Sequence, residues 1–205
     1  MVLEALPVSR RIVKPPNCVL ALGIPTTREG FRMAQQSESA DFAKRFLGGW
    51  AQYHAQFLVD LEAVEPILRK WGVTVVHEAT LVDFASVLAK PFDVVILFSH
   101  WRADAVEFRG GLESTGALLG VIPPTFSGIL DLCVCHPLSL VRELDIHRPK
   151  CIVKHLPTEA APHYWIYFYR TLFSHLRSRD MSYLVAIEEV ACAFLDAALP
   201  RHGGN

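Results

Sequence analysis

Asp93-Val94-Val95-Ile96-Leu97-Phe98-Ser99-His100 is the stretch on which the reading of this chain turns. Its centre is an unbroken apolar run, opened by an aspartate and closed by a serine and a histidine. Without the polar alternation of a half-exposed strand, such a run suits a strand buried on both faces of a parallel sheet. Similar runs lie on both sides of it. Cys18-Val19-Leu20-Ala21-Leu22-Gly23-Ile24 is closed by Pro25, and Val73-Thr74-Val75-Val76-His77 follows Gly72. Gly128-Ile129-Leu130-Asp131-Leu132 follows Pro123-Pro124, and Cys151-Ile152-Val153 extends toward His155.

Helical patterns separate these runs. Apolar and aromatic residues recur at helical spacing over 41–58, and a second helical piece covers 60–70 with a kink or restart expected at Pro66. Thr80 is placed to cap a helix reaching Lys90, and residues 137–144 read as one or two helical turns. Helices over 159–177 and 182–199 finish the chain. Residues 25–40 read as a loop or a ragged helix start, and Gly110-Gly111 punctuates a hairpin that includes Ala105 to Arg109. Strands alternating with helices predict an α/β domain, a mainly parallel central sheet flanked by helices on both faces. The domain is expected over residues 17–200, after an N-terminal arm over 1–16.

Composition narrows the function classes. Of 205 residues, 20 are basic and 21 acidic, so no charge excess calls for nucleic acid or an anionic membrane as partner. The N-terminal stretch is too short and broken for a signal peptide, and the most apolar late segment carries Glu188, Glu189 and Asp196, so a cytoplasmic protein without a membrane span is expected. Five cysteines, irregularly spaced, argue against a disulfide framework. Cys133-Val134-Cys135-His136 has no second Cys or His cluster at zinc spacing, so no metal and no cofactor is expected.

In an open parallel sheet, functional side chains collect beyond the C-terminal ends of the strands. Here those ends carry Thr26-Thr27-Arg28, His77-Glu78, Ser99-His100-Trp101, Cys133-Val134-Cys135-His136 and His155. Two ends form a chemically matched pair: His100 and a cysteine. Neighbouring strands lie about 4.8 Å apart, so an imidazole and a thiol on adjacent ends can share one crevice. The imidazole raises the thiolate fraction, which is what covalent acyl transfer needs. His77, His136 and His155 read as pocket walls or surface residues.

These residues resemble the caspase-like superfamily, which includes caspases, metacaspases, separases and the bacterial CHAT proteases. In that group one apolar strand ends in Ser-His or Gly-His and a later one ends in Cys; here the elements are Val94 to His100 and Ser127 to Cys133. Leu68-Arg69-Lys70-Trp71-Gly72-Val73 resembles the helix, glycine and strand that precede them, and Tyr167-Phe168-Tyr169-Arg170-Thr171-Leu172 resembles the final helical region of CHAT domains. Trp101 departs from the pattern, standing where a glycine usually follows the histidine, and the stretch between Cys133 and the fifth strand is short. The resemblance implies a caspase-like fold and a cysteine endopeptidase acting on a protein or peptide substrate. It also implies a bacterial protein held inactive until a partner or a proteolytic cut releases it, as in defence systems; residues 25–40 and 101–116 are the expected switch segments.

Two cysteines compete as nucleophile. With Cys133, Asp131 falls two residues earlier, where metacaspases place the aspartate that receives a basic side chain, implying cleavage after Arg or Lys. With Cys135, the following His136 mirrors the metacaspase Cys-His pair, but Asp131 then lies inside the buried strand. An unpaired carboxylate there is costly, which favours Cys133 over Cys135. The rival functions are a catalytically inactive caspase-like scaffold, which Trp101 crowding the oxyanion region would favour, and a flavodoxin-like nucleotide-binding domain, against which stands the lack of a glycine-rich phosphate loop after the first strand.

Overall fold

A computed structural model describes residues 16–135, 137–155 and 162–198. The expected arm over 1–16 lies almost wholly outside the described residues, as do His136 and the start expected for the penultimate helix.

Five strands, β1 (Cys18–Leu22), β2 (Thr74–Val76), β3 (Val94–Phe98), β7 (Ile129–Cys133) and β8 (Ile152–His155), form one sheet in the order β2-β1-β3-β7-β8. Every pairing in it is parallel. The chain begins in the interior of the sheet, builds outward to β2, and returns past β1 to β3. The order therefore reverses between β1 and β3, where two adjacent strands leave their C-terminal ends open as a crevice.

β1 shows why the sheet is central. Cys18, Leu20 and Leu22 join one apolar cluster, while Val19 and Ala21 join another on the opposite face. Successive strand side chains point to opposite faces, so a continuous apolar run requires cover on both. α1 (Arg28–Gln36), α2 (Gly49–Tyr53), α3 (Val59–Lys70), α7 (Pro162–Ser178) and α8 (Tyr183–Ala198) contribute to the first cluster. α4 (Leu81–Leu88), α5 (Thr115–Val121) and α6 (Leu138–His147) contribute to the second. Each fully buried Leu, Ile or Phe in these layers contributes about 1.5–3 kcal/mol.

Several local expectations change. Residues 25–40 contain a capped helix: the Thr27 hydroxyl accepts the Gly30 N–H and opens α1. The segment 41–58 is not one helix. It starts as a 3-10 turn, Phe42–Arg45, breaks at Gly48-Gly49, and resumes as α2, running through a π turn, His54–Leu58, into α3. α3 continues through Pro66. Residues 101–114 form a second, antiparallel sheet of β4 (Trp101–Arg102), β5 (Ala105–Phe108) and β6 (Gly111–Ser114), and α5 follows without having been expected. The tight turn between β4 and β5 places Ala103 and Asp104 at φ 48 and 59, the left-handed geometry that suits a two-residue hairpin. Thr80 caps α4 as expected, in a reciprocal box with Asp83. No helix among the described residues is long and apolar enough to cross a membrane.

Candidate active site

β3 and β7 are neighbours, with Phe98 opposite Cys133 as their last aligned pair. The ladder extends one step further, since the Ser99 N–H donates to the Cys133 carbonyl at 3.1 Å. His100 and Cys135 each lie two residues past that pair. His100 and Cys135 thus leave neighbouring strand ends at the same distance along the chain, whereas Cys133 sits within the strand itself, level with Phe98.

His100 is 6 % exposed and held from the side of α1 and α2. Its Nε2 lies 3.0 Å from Asp41 Oδ2, and the Phe42 ring packs against the imidazole at 5.6 Å. Asp41 is in turn gripped by Arg45 at 3.1 Å and by Arg102. The backbone N–H groups of Asp41 and Phe42 donate to Glu107 Oε2, fixing the turn that carries both residues. Sequence reading missed Asp41. It lies 59 positions from His100, and a single aspartate before an apolar residue carries no signal of its own.

Cys133 is 3 % exposed and belongs to the core cluster with Phe98, Tyr169 and Tyr183. Burial pushes its thiol well above the ordinary range, and the nearby Asp131 carboxyl adds to the effect. A thiol so placed resists ionisation and is almost closed to solvent. Cys135, by contrast, is only half-buried.

Asp131 lies inside β7 and is 3 % exposed. It is not unpaired: the Tyr183 hydroxyl donates to its Oδ2 at 2.6 Å, and Tyr169 also bonds to it. Burial raises its carboxyl to about 6, although these hydrogen bonds and the Lys154 charge pull the other way. The cost that favoured Cys133 in the sequence reading therefore does not arise, because two tyrosines from α7 and α8 supply the missing partners. Enclosed in this way, Asp131 is almost closed to solvent and is engaged by the two tyrosines.

The other strand-end histidines are accounted for separately. His77 bridges Thr26 Oγ1 at 3.1 Å and Glu65 of α3 at 2.9 Å. His155 lies on β8 with a buried Nδ1 that has no hydrogen-bond partner among the described residues. Trp101 pairs with Val106 and packs against the cluster of α4, α5 and α6, on the opposite face of the sheet from the residues that hold His100. No cluster of three metal-ligating side chains occurs among the described residues.

No family model matches the chain, and no curated protein matches it significantly.

Proposed function

We propose that the chain is a cysteine endopeptidase of the caspase-like kind, with His100 as the base, Cys135 as the nucleophile and Asp41 as the residue that positions the imidazole. The observation that carries this reading is that His100 and Cys135 each follow by two residues the last aligned pair of neighbouring parallel strands, with the Asp41 carboxylate against the imidazole. The resemblance of the two strand-end motifs to CHAT and metacaspase enzymes supports the reaction class, and the five-strand parallel sheet is compatible with it.

With Nε2 turned to Asp41, Nδ1 is the nitrogen that would take the thiol proton. The Cys135 sulfur would attack the scissile carbonyl carbon, and the imidazolium would return its proton to the departing amine. Water, deprotonated by the same ring, would then hydrolyse the thioester. Asp41 favours the charged imidazolium in both steps. Asp131 has no substrate contact in this scheme, so cleavage after Arg or Lys is tested and not assumed.

The test is hydrolysis of short fluorogenic peptides ending in Arg, Lys or Asp, together with labelling by iodoacetamide or an acyloxymethyl ketone. Cleavage or labelling that vanishes in Cys135→Ala and persists in Cys133→Ala supports the assignment. Equal acyloxymethyl ketone labelling of wild type and Cys135→Ala rejects it; iodoacetamide labelling is read at each cysteine separately, because Cys192 is exposed.

A second reading, an inactive caspase-like regulatory module, is favoured by one observation: His100 is almost fully covered by the turn that bears Asp41 and Phe42. A module of this kind needs no activated thiol. Its Cys135 would react with iodoacetamide no more slowly after His100→Ala than before, whereas an enzyme would lose reactivity.

A further inference from the structure

A cavity of about 210 Å³ opens at the C-terminal end of β1, between α1 and the turn joining β5 to β6. Its walls are mainly apolar, with Pro25, Met33, Ala34, Ala40 and Phe108. Two carboxylates also line it, Glu78 and Glu107. Glu78 is committed: its Oε1 accepts the Thr26 and Thr27 N–H groups and the Thr27 hydroxyl, and its Oε2 lies 3.9 Å from Arg109. Glu107 is only half committed. Its Oε2 accepts the Asp41 and Phe42 N–H groups, while its Oε1 accepts no hydrogen bond among the described residues, although the residue is 1 % exposed. A buried carboxylate with an unused oxygen lining an apolar hollow is what a cationic guest would satisfy.

We propose that this cavity binds a small organic cation, a free aliphatic amine or guanidine, and that its occupancy is transmitted to His100. Among the lining residues the two glutamates stand against one guanidinium, Arg109, whose side chain is 54 % exposed, while Lys44 and Arg45 act on Glu107 from outside the lining, so the lining itself favours a cation over an anion. The apolar walls select a short hydrocarbon chain over a bare metal ion, and no set of three metal-ligating side chains accompanies them among the described residues. Burial holds the Glu107 carboxyl above its ordinary range, a cost that a bound ammonium group relieves.

The link to His100 is short. Glu107 Oε2 holds the Asp41 backbone, and Asp41 Oδ2 holds His100 Nε2. Along a second route, the Glu107 N–H donates to the His100 carbonyl at 2.8 Å. The site is distinct from the Cys135 crevice, because β3 separates β1 and β2 from β7 in the sheet. The binding claim therefore does not depend on the peptidase reading.

The test is calorimetric titration of the full chain with agmatine and n-butylamine, against n-butanol, inorganic phosphate and an end-blocked lysine tripeptide. The expected result is saturable binding of both cations, at least tenfold weaker in Glu107→Gln and abolished in Ala34→Phe, which fills the cavity from its α1 wall and leaves both glutamates in the sequence. Histidine-labelled protein should show the His100 ring resonance moving on saturation with agmatine, identified by its loss in His100→Gln. Butanol or phosphate binding as well as butylamine, binding only of the tripeptide, or unchanged affinity in both variants would overturn the site. Saturation by agmatine with an unmoved His100 resonance would overturn the coupling.

Discussion

Asp41 Oδ2 sits 3.0 Å from Nε2 of His100, and the carboxylate that does this is itself held by two arginines and a backbone clamp from Glu107. A ring held in this way keeps one orientation. Replacing Asp41 by Asn keeps the shape but removes the charge that stabilises the imidazolium. Asp41→Asn is expected to lower kcat for peptide cleavage by about 10²–10⁴-fold, the range of general acid–base contributions, with little change in KM. Asp41→Glu should recover part of that loss. A kcat within threefold of wild type in Asp41→Asn would remove its positioning role.

The two neighbouring cysteines should separate cleanly. Cys135→Ala is expected to remove labelling at that position, exposed Cys192 still taking iodoacetamide, with little effect on stability, because the Cys135 side chain is half-buried. Cys133→Ala should retain labelling and lose roughly 1 kcal/mol of stability, comparable to deleting one buried methyl group. Denaturant melts of both variants, run beside a mass-spectrometric labelling assay, check the pair of outcomes.

Asp131 makes stability depend on pH. Its carboxyl is raised in the folded state from 3.8 to about 6, so between those values the folded protein keeps a proton that the unfolded chain has released. Its contribution to stability is full below pH 3.8, falls as pH rises toward 6, and then levels off. At about 1.36 kcal/mol per pH unit, the loss is on the order of 3 kcal/mol. Urea melts from pH 4 to pH 7.5 should show Asp131→Asn gaining on wild type across that window. A constant difference between the two proteins at every pH would contradict it.

Tyr183→Phe deprives the same carboxyl of its donor at 2.6 Å. The expected cost is about 1–3 kcal/mol, larger at pH 7.5 than at pH 5, because the ionised form depends most on the hydroxyl. Equal losses at both pH values would show that the hydroxyl does not serve the carboxylate.

Gly30 is required by close approach. A Cβ there would meet Glu78 Oε1 at 2.1 Å, the oxygen that collects three hydrogen bonds at the start of α1. Gly30→Ala should cost about 1–3 kcal/mol through that overlap, despite alanine's better helix propensity. Thermal melts measure it, and a stabilised variant would mean the carboxylate moves freely.

Much of the fold was legible because it rests on local pattern. The runs at Cys18–Leu22, Val94–Phe98 and Ile129–Cys133 are apolar without alternation, and only burial on both faces satisfies such runs. Residues 101–114 were harder to read. Pairing among strands of two to four residues is decided by turns such as Ala103-Asp104, which lack the glycine that usually marks them. The helix over Arg28–Gln36 was obscured by its polarity, since only Gly30 and Phe31 on it are buried.

The sequence by itself determined the parallel sheet between two helical layers and placed a histidine and two cysteines at or just past its strand ends, because residue polarity and strand period act over a few positions. Tertiary structure decided what those residues meet. Asp41 reaches His100, and Tyr169 and Tyr183 reach Asp131, across separations of 59, 38 and 52 positions. The strand register sets Cys133 inside the sheet opposite Phe98 and leaves Cys135 just past the strand end. Contacts of that kind depend on how helices fold back over the sheet, and no local pattern of residues encodes them.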